Sequence, residues 1–332
     1  MNKYKSINIL FGQAYSLLRD SAKACLELFR IMIPIIIAVR ILQDLGLISY
    51  LAVPLEPVMQ LMGLPGSMGL VWATALVNNI YAGMIVFVSL PESAHLSIAQ
   101  VTVLSTVMLV AHALPVELKI AQKTGPRLVV QGIFRVGSAF ILGILLNLIY
   151  SNGNLLQEPS TILWNPDPAP SGYLQWALAQ GRNLTAIFAI ITSLMALTRI
   201  LDKLRITNFF IRALRPLFQS MGIGRQAGPI SIIGMIMGLS YGGGLIIHEV
   251  KNGNIPARDV FFSMTLMGIC HSVIEDTLLM LLLGADLSGI LWARIIYALI
   301  FTAIIVRVQS TVSDKFSRRY LYAETEQNYT SQ

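Results

Sequence analysis

Five stretches of this chain contain no Asp, Glu, Lys or Arg: Val58–Leu90, Ser93–Val116, Val136–Gln157, Asn183–Thr198 and Gln226–Ile247. Several exceed the roughly 20 apolar residues that a helix needs to cross the hydrocarbon core of a bilayer. Composition agrees: 12% of the 332 residues are charged and 55% are hydrophobic, where a soluble domain has about 25% charged. The chain reads as an all-α polytopic membrane protein. Its net charge of +7 sits in loops and termini, where it sets orientation, so it does not point to nucleic acid. Cys25 and Cys270 lie in apolar surroundings and suggest no disulfide framework. No cleavable leader is evident. No phosphate loop or soluble nucleotide-binding domain is present, which excludes hydrolysis of ATP or GTP.

The second constraint is an internal repeat. Arg40-Ile41-Leu42, Leu55, Pro57, Gln60, Met62 and Gly63 recur as Arg199-Ile200-Leu201, Leu214, Pro216, Gln219, Met221 and Gly222, at a constant offset of 159. The same offset relates His112 to His271, Glu117 to Asp276, Gly125 to Gly284 and Arg135 to Arg294. The organisation that follows is a cytoplasmic amphipathic segment (1–25), a first repeat (26–150), a linker (151–181), a second repeat (182–308) and a cytoplasmic tail (309–332). The linker is rich in Pro, Asn and Gly and reads as extracytoplasmic.

Each half divides into five segments, about 27–43, 46–62, 66–90, 97–120 and 130–150, then about 183–202, 205–221, 226–248, 259–283 and 289–307. The second member of each set is weak enough to lie in the interface. Loop charge favours about ten transmembrane helices, with Arg215 and Arg225 fitting badly. Five spans per half make two inverted five-helix repeats, a common plan among secondary transporters.

Two constellations carry the chemistry. Cys270-His271-Ser272-Val273-Ile274-Glu275-Asp276 places one imidazole and two carboxylates inside an apolar run. Each charge at that depth costs at least about 2.5–3.5 kcal/mol on insertion scales, so the cluster must face a protein interior or a watery cavity. On one continuous helix His271 and Glu275 would share a face, with Asp276 turned about 100° away. In the first half Ala111-His112-Ala113-Leu114-Pro115-Val116-Glu117 takes this place. Pro115 removes a helical hydrogen bond and frees a carbonyl near Ala111. Inverted symmetry would bring His112 and Glu117 to His271, Glu275 and Asp276 near the midplane, a set able to bind a cation, a proton or a polar ligand. A polar network that only locks helices together is the plainer alternative.

The second constellation is Gly238-Leu239-Ser240-Tyr241-Gly242-Gly243-Gly244. Consecutive glycines weaken a helix and allow unwound backbone, tolerated in a membrane only where it is buried in protein or lines a cavity. Its counterpart is Asn78-Asn79-Ile80-Tyr81-Ala82-Gly83, aligned with one extra residue. Paired interrupted segments point to a transport site, with Asn78, Asn79, Ser240, Tyr241, Gly242 and Gly243 as its residues. Close helix packing through small residues is the alternative.

Leu239–Gly244 followed by His271–Thr277, together with Arg-Ile-Leu and Leu-x-Pro in each half, resembles the Gate-domain, or nucleoside recognition, family. The resemblance covers about 30–310. It implies kinship with concentrative nucleoside transporters, the membrane part of the ferrous-iron transporter B and the spore maturation proteins. The expected function is secondary transport of a small polar solute, nucleoside-like, coupled to a proton or cation across a bacterial cytoplasmic membrane, with both termini inside. A divalent-metal carrier using His271, Glu275 and Asp276, or a partner protein that transports nothing, are the alternatives. No His-Glu-x-x-His or Gly-x-Ser-x-Gly signature supports an enzyme. No cofactor and no nucleic-acid partner is expected beyond the solute or ion and the lipid, and a homo-oligomer is compatible with the sequence.

Overall fold

The computed structural model describes residues 2–163, 172–204, 206–252 and 255–323. Among these residues every regular element is a helix, and the only bridges are the isolated pairs Ser97–Pro159 and Pro126–Tyr322. The first half comprises α1 (Asn2–Asp44), α2 (Leu47–Ala52), α3 (Glu56–Leu61), α4 (Met68–Val77), α5 (Ile80–Ser89), α6 (Ile98–Val110), α7 (Leu114–Lys123) and α8 (Leu128–Asn152). The second comprises α9 (Tyr173–Lys203), α10 (Ile206–Ser220), α11 (Ala227–Met237), α12 (Leu239–Lys251), α13 (Ala257–Ile269), α14 (Glu275–Leu282) and α15 (Arg294–Thr311), the last preceded by a π-helical turn at Ser288–Ala293. Element boundaries obey the offset of the sequence repeat. Helix α6 and helix α13 start and stop 159 residues apart, as do the starts of α4 and α11. Backbone irregularities repeat as well, with positive φ at Gly63 and Gly222, Gly125 and Gly284, and Ala113 and Ser272.

The chain forms two compact units. One gathers α1 and α9. Arg199 bonds Ser16 (2.9 Å) and Asp20 (2.5 Å), Lys203 bonds Gln13 (2.8 Å) and the Tyr173 hydroxyl bonds Asp44 (3.3 Å). Partner numbers rise along one helix as they fall along the other, so the two are antiparallel. The remaining helices form the second unit, which holds the buried cluster described below.

Within that second unit the third segment of each half differs from the single span expected over 66–90 and 226–248. Each is a helical hairpin. Helix α4 packs on α5 across a turn at Asn78-Asn79, and α11 packs on α12 across Gly238. A Cβ on Gly83 would stand 2.7 Å from the Ala75 Cβ, and one on Gly242 would stand 2.5 Å from the Gly234 Cα, so glycine is what lets the arms meet. Arms of 10–13 residues reach about 15–20 Å, well short of the ~30 Å hydrocarbon core. The turns match at Asn79 and Gly238, an offset of 159, without the extra residue that the sequence alignment introduced. The reading of Ser240–Gly244 as unwound backbone is corrected too. Those residues lie inside α12, where Gly242 packs on Gly234 and Gly243 on the Ile120 side chain.

The fourth segments are broken, at 111–113 and 270–274. In the first break the Ala113 N–H leaves the helix and donates to the Ala75 carbonyl of the hairpin (2.9 Å); in the second, the Val273 N–H donates to Met235 (2.8 Å). Pro115 suits the first break, since it needs no donor in the opening turn of α7. Ile274 stands at the matching place in the second half, so the hairpin contact, not proline, is common to both breaks. The second segments are short: α10, with 15 residues, measures about 22 Å. Four helical stretches among the described residues are long and apolar enough to cross a membrane: Ile98–Lys123 with its break, Leu128–Asn152, Tyr173–Leu201 and Ser288–Thr311. The ten separate spans expected from the sequence do not appear as ten long helices.

Candidate functional site

The two breaks meet. His112 Nε2 lies 3.3 Å from His271 Nε2, and Glu117 Oε1 lies 3.5 Å from the first and 3.2 Å from the second. His112, Glu117 and His271 are 6%, 8% and 2% exposed. His112 Nδ1 sits 2.9 Å from the Met108 carbonyl and His271 Nδ1 sits 2.8 Å from the Met267 carbonyl. A carbonyl oxygen only accepts, so each ring donates from Nδ1–H, and a ring that carries no second proton presents Nε2 as an acceptor. With both rings in that form, three lone-pair atoms converge at one buried point, an arrangement suited to a cation.

Arg135, in α8, organises the first break. Its Nη1 pairs with Glu117 Oε2, its Nε donates to the Val110 carbonyl (3.2 Å) and its Nη2 to the His112 carbonyl (3.1 Å). It thereby satisfies carbonyls that α6 leaves open at its C-terminus and fixes one Glu117 oxygen while the other faces the imidazoles. The Ala111 carbonyl, expected to be free for a ligand, instead accepts the Trp72 indole N–H (3.1 Å).

The second break is arranged differently although its residues correspond. Arg294 is fully buried; its Nη2 donates to Thr277 Oγ1 at 3.4 Å, and it stands beside the Cys270 thiol and the Asp276 carboxylate. Its Nε and Nη1, and Asp276 Oδ2, are buried without a hydrogen-bond partner among the described residues. Two positions equivalent in sequence thus hold two different hydrogen-bond states.

Of the residues singled out by the sequence, His112, Glu117 and His271 come together. Glu275 does not join them. The helix ends at Ile269 and restarts at Glu275, so His271 and Glu275 never share a helical face. Glu275 Oε1 instead accepts from the Tyr81 hydroxyl (3.2 Å), a link from the first hairpin to the second break. Asp276 is buried near Arg294, outside the His–Glu–His set. His271, Glu275 and Asp276, expected together under the metal-carrier alternative, do not converge; the ligand atoms that lie within 4.8 Å of one another belong to His112, Glu117 and His271. Asn79 caps α5 by accepting the Ala82 N–H (2.9 Å), Asn78 lies in the turn before it, and Gly242 and Gly243 serve packing. The side chains of Ser240 and Tyr241 lie outside the described residues. Sequence reasoning quoted Arg135 and Arg294 as a repeat pair and Tyr81 within Asn78–Gly83 but gave their side chains no role, and it passed over Trp72. A separate cavity of about 260 Å³, lined in part by His95, Gln100, Asn147, Tyr150 and Gln157, shares no residue with the cluster.

Residues 25–126 match the family described as Gate, nucleoside recognition. The chain is 29% identical over 276 residues to the uncharacterized membrane protein YvoD of Bacillus subtilis (strain 168), covering 82% of this chain and 87% of that protein. No solved structure matches. Residues 25–126 are thus similar to the Gate, or nucleoside recognition, family, and most of the chain is similar to a protein described as a membrane protein.

Proposed function

We propose that the protein is a secondary transporter of a small polar solute, nucleoside-like, in a bacterial cytoplasmic membrane, linked to a cation held where the two helix breaks meet. The observation that carries this reading is the convergence of His112, His271 and Glu117 from the two halves onto one buried point. A site shared between halves changes whenever one half moves against the other, which is the geometry alternating access requires. The unequal bonding of Arg135 and Arg294 supports such movement. In the opposite state Arg294 would splint its own break and Arg135 would release. The protein is a carrier in this reading, not an enzyme.

The hairpins also suggest a topology. We infer six crossings, made by α1, the broken α6–α7, α8 and their three counterparts, with each hairpin entering and leaving on one side. Three crossings per half keep the halves inverted. Both termini and the basic loops at 119–127, 203–225, 251–258 and 315–319 then face the cytoplasm, while 45–67 and 90–97 contain no Lys or Arg. Arg215 and Arg225, misplaced under ten crossings, fall inside; Arg40 and Arg182 are left outside the pattern. The function is tested by uptake of labelled nucleosides into proteoliposomes under an imposed proton or cation gradient. Gradient-driven uptake that Glu117→Gln abolishes is the expected result. Uptake indifferent to the gradient and to Glu117→Gln would overturn the proposal.

A further inference from the structure

We infer that His112, His271 and Glu117 form a three-ligand site for one divalent transition-metal ion of the zinc type. This rests on the reading of the cluster as a cation site and names its ion. The first argument is metric. An ion with tetrahedral bonds of about 2.0–2.1 Å holds its ligand atoms about 3.3–3.4 Å apart, and the three separations here are 3.2, 3.3 and 3.5 Å. An octahedral ion with bonds of that length needs neighbouring ligands about 2.9 Å apart.

The second argument is the surrounding shell. A ligating histidine nearly always donates its other ring N–H to a carboxylate, carbonyl or water, and a ligating carboxylate is itself hydrogen-bonded. Both histidines give Nδ1–H to a backbone carbonyl, and Glu117 gives its second oxygen to Arg135. The carbonyls belong to Met108 and Met267, each four residues before its histidine and 159 residues apart, so both rings are aimed by the same local device. Two imidazoles and one carboxylate suit zinc, iron or cobalt and not magnesium or calcium, which take oxygen ligands.

The third argument is the open position. No fourth His, Cys, Asp or Glu atom joins the set among the described residues. Sites of this kind keep their fourth position for water or a substrate atom, and here a donor atom of the transported solute can occupy it. Because one histidine comes from each half, the ion bridges the halves, and its affinity depends on their relative arrangement.

The test is metal content and titration of the purified full-length protein, with Zn2+ measured directly and Co2+ read by its visible spectrum. One ion per chain is expected, with the intense bands of four-coordinate Co2+. His112→Ala and His271→Ala should each remove stoichiometric binding. Arg135→Lys should weaken affinity by about 10–100-fold, and His248→Ala should leave it unchanged. Because an alanine variant can fail to fold, His271→Cys is the decisive companion: it retains the ion and adds a sulfur-to-cobalt charge-transfer band. No stoichiometric ion, or binding that survives His112→Ala and His271→Ala, overturns the inference. Absent metal with gradient-driven flux intact overturns this inference alone; one bound ion without flux supports it and overturns the transport reading.

Discussion

Replacing Arg135 or Arg294 with Met tests whether the two halves hold different states. The positions are equivalent in the repeat and both are buried, with exposures of 2% and 0%. Removing Arg135 leaves Glu117 as an uncompensated buried charge, and breaking a buried pair from one side costs about 3–5 kcal/mol. The carbonyls of Val110 and His112 also lose their donors, at about 1 kcal/mol each. Relaxation and water entry recover part of this, so a loss of about 5 kcal/mol is expected. Removing Arg294 breaks one long bond of 3.4 Å to Thr277 and takes the cation from beside buried Asp276, but it also takes away two buried nitrogens that bond nothing described. An unpaired buried donor carries a penalty of about 1–3 kcal/mol, which offsets much of the cost of leaving Asp276 alone, so Arg294→Met should cost clearly less than Arg135→Met, about 2 kcal/mol. Unfolding in mixed micelles of rising SDS fraction measures both. Adding Glu117→Gln to Arg135→Met should recover about 3 kcal/mol, because the orphaned charge is then gone. Equal losses for the two arginine variants would refute the asymmetry.

The remaining predictions concern the hairpins and the topology. Gly238→Ala places a side chain at φ +100° and against Ser272 Oγ, which a Cβ would approach to 2.7 Å; a loss of about 1–3 kcal/mol and slower flux should follow in the same unfolding and uptake assays. Tyr81→Phe removes the 3.2 Å bond to Glu275, and a stability loss of about 0.5–1.5 kcal/mol is expected with metal stoichiometry unchanged. A single cysteine at Arg225, with Cys25 and Cys270 replaced, should react with an impermeant thiol reagent only from the cytoplasmic side. One at Pro65 should react only from outside. The opposite result at both is what ten crossings require.

How much was legible depended on whether a property is local or relational. The repeat was written in the chain, and with it the equivalence of His112 and His271. Their meeting was legible only as a consequence of inverted symmetry. Of the carboxylates expected at that meeting, Glu117 arrives and Glu275 does not, because the helix before His271 ends at Ile269 and Glu275 opens the next. Glu117 lies 154 residues before His271, so only the repeat, and no local spacing, pointed to their contact. The hairpins escaped for a related reason. Residues 66–90 and 226–248 have the length and apolarity of one span, and hydropathy does not record a reversal of direction. Only Asn78-Asn79 and Gly238 mark it, together with glycines such as Gly83 and Gly242 spaced to let the arms touch. Arg135 was visible as a repeated charge, but its role depends on carbonyls that exist only once α6 is broken.

X-ray absorption at the metal edge, on zinc-loaded protein, tests the meeting of the two halves most directly, because the outer-shell pattern counts imidazoles. The account predicts a four-coordinate ion with two imidazole nitrogens at about 2.0–2.1 Å and oxygen in the remaining positions, one imidazole giving way to sulfur in His271→Cys. A shell of oxygens alone, or one that keeps both imidazoles in His271→Cys, would contradict it.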